Sequence, residues 1–188
     1  MTESFEKTKV AGSIAAGALD EVNNIIKPGV STSEIDKLCY QYINDHKAFS
    51  APLFYRGFPK SCCTSSNHVV CHGIPSEKIL NDGDILNVDV TAIKDGWHGD
   101  TSRMFVVGEC SVKAKKLIKT TYEAMMEAIK IIKANVKIGN IGYTIQKLVE
   151  VEGFSVVRDF CGHGIGKKFH ESPNVLHYGV KNSGQELK

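Results

Sequence analysis

The dipeptide Asp95-Gly96 sits inside a β-rich segment, Asp84–Val107, with apolar alternation on both sides of it. An Asp-Gly pair so flanked is a strong signal for a two-residue hairpin turn. With these residues as the loop, Lys94 pairs with Trp97 and partnered residue numbers sum to 191. Asp89 then faces Ser102, and Asp100 faces Thr91. Side chains alternate with period two, so residues 89, 91, 100 and 102 share one face. Asp89 and Asp100 become diagonal neighbours, about 7–8 Å apart at the backbone. Two carboxylates that close repel unless a proton or a cation stands between them. Such an oxygen-rich site suits a divalent metal. A solvated aspartate pair with no ligand is the other reading of the hairpin alone. Leu86, Val88, Val90 and Ala92 form one apolar side, and Ile85 and Ile93 lie on the Asp89 side. A strand apolar on both faces is expected to be buried on both, and buried carboxylates need a partner.

The 188 residues suffice for one domain with a core. A net charge of +2 gives no reason to expect nucleic acid or membrane as partner. No apolar run approaches a membrane span, and Met1–Lys7 lacks the basic-then-apolar pattern of a secretion signal. A cytoplasmic location is therefore expected. The six cysteines, at 39, 62, 63, 71, 110 and 161, do not form a CxxC zinc pattern and are expected as reduced, mostly buried thiols.

Helix signals come in pairs. Residues from about 4 to 26 carry Val10, Ile14, Leu19, Val22 and Ile26 near helical spacing, and Pro28-Gly29 ends the run. Ser31-Thr-Ser-Glu34 reads as a capping box opening a second helix with Ile35, Leu38, Cys39, Tyr42 and Ile43. Residues from about 111 to 134 carry Leu117, Ile118, Met125, Ile129 and Ile132. Gly139-Asn140 then leads into a helix with Ile141, Ile145, Leu148 and Val149, ended by Gly153. Lys27, Gly29, Ile35, Lys37 and Leu38 recur as Lys137, Gly139, Ile145, Lys147 and Leu148, each offset by 110. Identity and element order together suggest a repeated architecture, although two helical hairpins can share residues by chance. On the repeat, the partner of the 84–107 hairpin would fall near 194–217, so the chain is expected to be shorter than its fold.

Three histidines lie near glycines. His72, in Cys71-His-Gly-Ile-Pro75, follows the apolar pair Val69-Val70 and is expected at a strand end. His163 is enclosed by Gly162, Gly164 and Gly166, whose missing side chains would let the backbone approach a ligand. His170 follows seven residues later. A lone histidine is more often a core or surface residue, but three beside an aspartate pair favour a metal-centred site. Gly162–Lys167 lacks the ending and spacing of a phosphate loop. Neither a Gly-x-Ser-x-Gly elbow nor a His-Glu-x-x-His helix is present.

Together, Lys94-Asp-Gly-Trp-His-Gly-Asp100-Thr-Ser, Val70-Cys-His72-Gly-Ile-Pro, Cys161-Gly-His163-Gly-Ile-Gly and Phe169-His170-Glu resemble type I methionine aminopeptidases of the bacterial kind, from about residue 4 to 188. The resemblance implies an α+β pita-bread fold of two pseudo-symmetric αββ halves, with this chain a single metallopeptidase domain, residues 1–188, lacking its C-terminal strands. It implies two divalent ions drawn from Co, Mn, Fe and Zn, with Asp89, Asp100 and His163 as ligands and Asp100 bridging. His72 and His170 would be catalytic, binding the scissile peptide and stabilising the tetrahedral intermediate. Tyr55, Phe58, Cys63 and Phe169 would shape the methionine pocket. The implied partners are the N-terminal Met peptides of nascent proteins, with transient ribosome contact, acted on by a monomer. Arg56 stands where many bacterial members have His, and two glutamate ligands of the family are expected beyond Lys188. A non-catalytic pita-bread binding protein is the alternative, and a proline-directed peptidase relative a third reading.

Overall fold

The Asp95-Gly96 turn forms as the sequence predicts. In a computed structural model describing residues 2–188, strands β3 (Ile85–Lys94) and β4 (Trp97–Val106) pair antiparallel from Lys94 opposite Trp97 to Ile85 opposite Val106. Asp95 (φ 51°) and Gly96 (φ 78°) are both left-handed, as a type I′ turn requires. Earlier in the chain, β1 (Phe49–Ser50) and β2 (Cys63–Ser66) pair with successive stretches of the other edge of β3, Phe49 opposite Ile93 and Cys63 opposite Asp89. Strand β3 is thus central and β4 is an edge of its sheet.

Packing divides the described residues into two compact units. The first comprises the chain through Ser111 together with Ile165–Phe169. Its helices α1 (Glu3–Ile25) and α2 (Thr32–Asp45) bury Ile14, Ala15, Ala18, Leu19, Val22, Ile35, Cys39 and Ile43 against Leu86, Val88, Val90, Ala92 and Phe105. All four inward residues of β3 are fully buried, which is the apolar side read from the sequence. Helix α2 opens on the expected capping box. Glu34 N–H donates to Ser31 Oγ at 3.2 Å, and Ser31 N–H donates to Glu34 Oε2 at 2.7 Å. That backbone bond, aided by the Ser31 hydroxyl, holds the Glu34 carboxyl below its ordinary range.

The second unit comprises Val112–Gly164 and His170–Lys188. It holds α3 (Val112–Lys130), α4 (Gly139–Val151) and the paired strands β5 (Gly162–Gly164) and β6 (Glu171–Val175). The periodic stripe of α3 is not its packing face. Thr120, Ala124 and Ala128 are buried in a helix that packs on α4, while Met125, Ile129 and Ile132 are 47%, 50% and 52% exposed. Small side chains allow helix axes to approach, so the face that packs here is not the one with the largest residues. The two repeated glycines also serve different ends. Gly29, at φ 95°, sits in the turn after α1, where Val30 N–H donates to Lys27 O at 3.3 Å. Gly139 lies inside the first turn of α4, where a Cβ would meet Val180 O at 2.8 Å. No helix among the described residues is long and apolar enough to cross a membrane.

Helix α1 touches β4 backbone to backbone. A Cβ on Gly99 would collide with Gly12 N and Ala11 C, whereas a Cβ on Gly12 would meet nothing within 4 Å. Two adjacent glycines therefore have opposite expected effects in urea unfolding. Gly12→Ala should stabilise by about 1 kcal/mol, the helix-interior difference between the two residues. Gly99→Ala should destabilise by about 1–3 kcal/mol through overpacking. Equal and small shifts of both midpoints would contradict the close approach.

Candidate metal centre

The site is built on the second face of the hairpin. Asp89 pairs with Ser102 and Thr91 with Asp100, in the predicted register. Asp89 is half-buried, Asp100 is exposed, and Thr91 is buried with its Oγ1 donating to Asp100 Oδ1 at 2.7 Å. The expectation of burial on both faces is met only in part. Ile85, Asn87 and Ile93 remain partly exposed and Ser102 is exposed. Burial raises the Asp89 carboxyl to a pKa of about 7, helped by the negative charge of Asp100 and a hydrogen bond between the two side chains. One proton thus relieves a repulsion that a divalent cation would also relieve. Hard oxygen donors at this separation fit such an ion. Among the described residues no group of three or more His, Cys, Asp or Glu side chains is arranged to hold one.

Two thiols border the pair. Cys63 lies across β2 from Asp89 and is buried. Burial, then the charges of Asp89 and Asp100, push its thiol up to about 12. Cys71 is raised by burial and by Asp89. Both are therefore protonated and unsuited to nucleophilic attack or thiolate ligation. All six cysteines are free, and Cys39, Cys62, Cys63 and Cys110 are buried.

His72 does not end a strand. Val69 and Val70 lie in irregular backbone beyond a turn in which Val69 N–H donates to Ser66 O at 3.0 Å. The chain then folds back on β2, where Thr64 N–H donates to Gly73 O at 2.8 Å and Gly73 N–H donates to Ser65 Oγ at 3.1 Å. A Cβ on Gly73 would strike Thr64 O. The glycine after His72 is what lets this loop lie flat, and it leaves His72 exposed at φ 55°.

The predicted pocket residues fall partly together. Tyr55, in the short helical turn Tyr55–Gly57, tilts against Phe169 at 5.0 Å between ring centroids. Phe58 follows that turn and is half-buried. Arg56 places its guanidinium 5.4 Å from the Tyr55 ring centre. In the second unit, His163 stands on β5 opposite Asn174, its ring 4.3 Å from that of His170. His163 Nδ1 lies 2.9 Å from Gly164 O. A carbonyl only accepts, so Nδ1 carries the proton and Nε2 keeps the lone pair a metal needs. The glycine at 164 answers to a protein neighbour rather than a ligand, since a Cβ there would collide with Ser172 O.

The sequence pattern of metallopeptidase family M24 matches residues 6–188. The chain belongs to that family. It is 52% identical over 186 residues to the methionine aminopeptidase of Rickettsia prowazekii (strain Madrid E), covering 99% of this chain and 72% of that protein. It is likewise 52% identical over 188 residues to the methionine aminopeptidase of Escherichia coli (strain K12), covering 99% and 71%. The crystal structure of methionine aminopeptidase from Rickettsia prowazekii superposes with a TM-score of 0.98, at 52% identity, over 100% of this chain and 76% of that one. This M24 chain accordingly has the mixed α/β pita-bread fold, and metal-dependent hydrolysis is the chemistry of its family.

His98 is a feature of the M24 chain that reading the residues for ligands passes over. It is buried on the same face of β4 as Asp100, with its ring against Phe169 at 5.7 Å. Strand parity with Asp100 was the available signal.

The shared proton gives a measurable pH dependence in chelator-treated protein. Asp89 ionises near 3.8 when unperturbed and near 7 when folded. Between those values the folded state binds more protons than the unfolded one, so stability falls as pH rises through the window. Urea midpoints should drop from pH 4 to pH 7, and Asp100→Asn should lower the Asp89 midpoint followed by carboxyl carbon-13 shifts. An Asp89 titration near its ordinary value would exclude the shared proton.

Proposed function

We propose that the protein removes the N-terminal methionine from nascent polypeptides in a metal-dependent hydrolysis. The observation that carries this reading is the Asp89–Asp100 pair, two oxygen donors brought together on one face at the register the hairpin dictates. The 52% identity to named methionine aminopeptidases supports the substrate class. Asp89, Asp100 and His163, the last through Nε2, would hold two divalent ions. Cobalt, manganese, iron and zinc all suit carboxylate and imidazole donors. When bound, the ions supply Lewis acidity and a nucleophile at neutral pH.

The remaining roles belong to the chain itself. His72 and His170 hold the scissile peptide and donate to its carbonyl oxygen as negative charge develops there. Tyr55, Phe58, Cys63 and Phe169 receive the methionine side chain, whose polarizable thioether suits aromatic edges. The neutral Cys63 thiol lines such a pocket without competing for the ions. The reaction would take place in the cytoplasm on a monomer, with brief contact to the ribosome as peptides emerge. Asp89, Asp100 and His163 are the donors that this reading assigns to the ions.

Release of methionine from Met-Ala-Ser, with Mn²⁺ or Co²⁺ added, tests the reading alongside calorimetric titration of the same ions. Asp100→Asn should lose about 10²-fold or more in metal affinity or rate, at least the top of the range for losing a group that merely orients a ligand. Wild-type metal affinity and rate in Asp100→Asn would refute the ligand assignment. The alternative is a non-catalytic pita-bread binding protein, against which retention of Asp89, Asp100 and His163 argues. Absence of any metal binding would favour that one.

A further inference from the structure

The short segment Ile165–Phe169 packs with the first unit, yet in sequence it joins His163 to His170. Its attachment is concentrated at the start of β4. His98 N–H donates to Gly166 O at 2.8 Å, and His98 Nδ1 lies 3.1 Å from the same oxygen. Because the carbonyl only accepts, the imidazole donates through Nδ1. Its ring stacks on Phe169 at 17° between planes, and Phe169 in turn meets Tyr55. One residue earlier, the Trp97 ring lies under Lys167 Nζ at 5.6 Å. Strand β4 is an edge, and its outward N–H groups need a partner. The backbone bond of His98 meets that need by itself, so the buried imidazole adds a second grip on one carbonyl and a third on Phe169.

We propose that His98 is a positioning residue: its imidazole locks Ile165–Phe169 to β4 and thereby restrains the stretch of chain that carries His163 and His170. The consequence for catalysis rests on the roles given above to those two histidines, while the anchoring itself does not. A ring that only filled core space would be replaced without loss by Phe. A positioning imidazole needs both its N–H and its plane.

Three variants separate these functions. His98→Asn keeps an N–H near the Nδ1 position and loses the ring, His98→Phe keeps the ring and loses the N–H, and His98→Ala loses both. Trp97 is the sole tryptophan, so its fluorescence reports the segment directly, with Lys167→Ala setting the signal of a lost cation contact. In His98→Ala, acrylamide quenching should rise about twofold or more, as for a segment released by local opening. Asn and Phe should each recover part of the difference. In Mn²⁺-loaded protein acting on Met-Ala-Ser, kcat should fall by up to about 10²-fold with KM little changed, the pattern of misplaced rather than missing groups. Quenching and kcat equal to wild type in all three variants would overturn the proposal, as would full rescue by Phe. Should His98→Ala fail to fold, the Asn and Phe pair still decides. If wild type releases no methionine while quenching responds as expected, the anchoring stands and the functional reading fails.

Discussion

Two carboxyl groups on one face of a strand pair cannot both be charged without help. Around that constraint the first unit is organised. The type I′ turn at Asp95-Gly96 fixes the register, and a slip of one residue would carry Asp89 from the open face to the core face. The inward residues Leu86, Val88, Val90 and Ala92 make that slip costly, since each would exchange full burial for exposure. Core formation and placement of the aspartates are thus one event. The same alternation that buries four apolar side chains presents Asp89 and Asp100 to whatever relieves their repulsion.

Several glycines contribute through contact rather than flexibility. Gly99 admits the α1 backbone against β4, Gly73 lays the His72 loop on β2, and Gly164 lets β5 approach Ser172. In each case a carbonyl or peptide group occupies the volume where a Cβ would stand. These contacts help to set where His72 and His163 sit within their own units.

What the sequence made legible was local. The hairpin, its register and the capping box depend on residues within a few positions of one another, and all three formed as read. The misreadings involve contacts that no local residue pattern announces. Val69-Val70 looks like a strand because nothing nearby reveals that Gly73 will bond to Thr64 instead. The apolar spacing of Leu117, Ile118, Met125, Ile129 and Ile132 marks a helix, but does not reveal that Thr120, Ala124 and Ala128 are its buried residues. The glycines around His163 suggested room for a ligand, and at Gly164 that room belongs to Ser172. His98 escaped notice for the same reason: its partners, Gly166 and Phe169, lie some seventy residues away.

The electrostatic field of the aspartate pair also selects the chemistry of its neighbours. Negative charge from Asp89 and Asp100 raises the Cys63 thiol further above a range already elevated by burial, and Asp89 acts similarly on Cys71. A thiolate is a soft donor and a strong nucleophile, and either role would compete with oxygen and imidazole donors for an ion or attack a bound carbonyl. Burial, with the aspartate charges adding to it, keeps both thiols protonated beside the carboxylates.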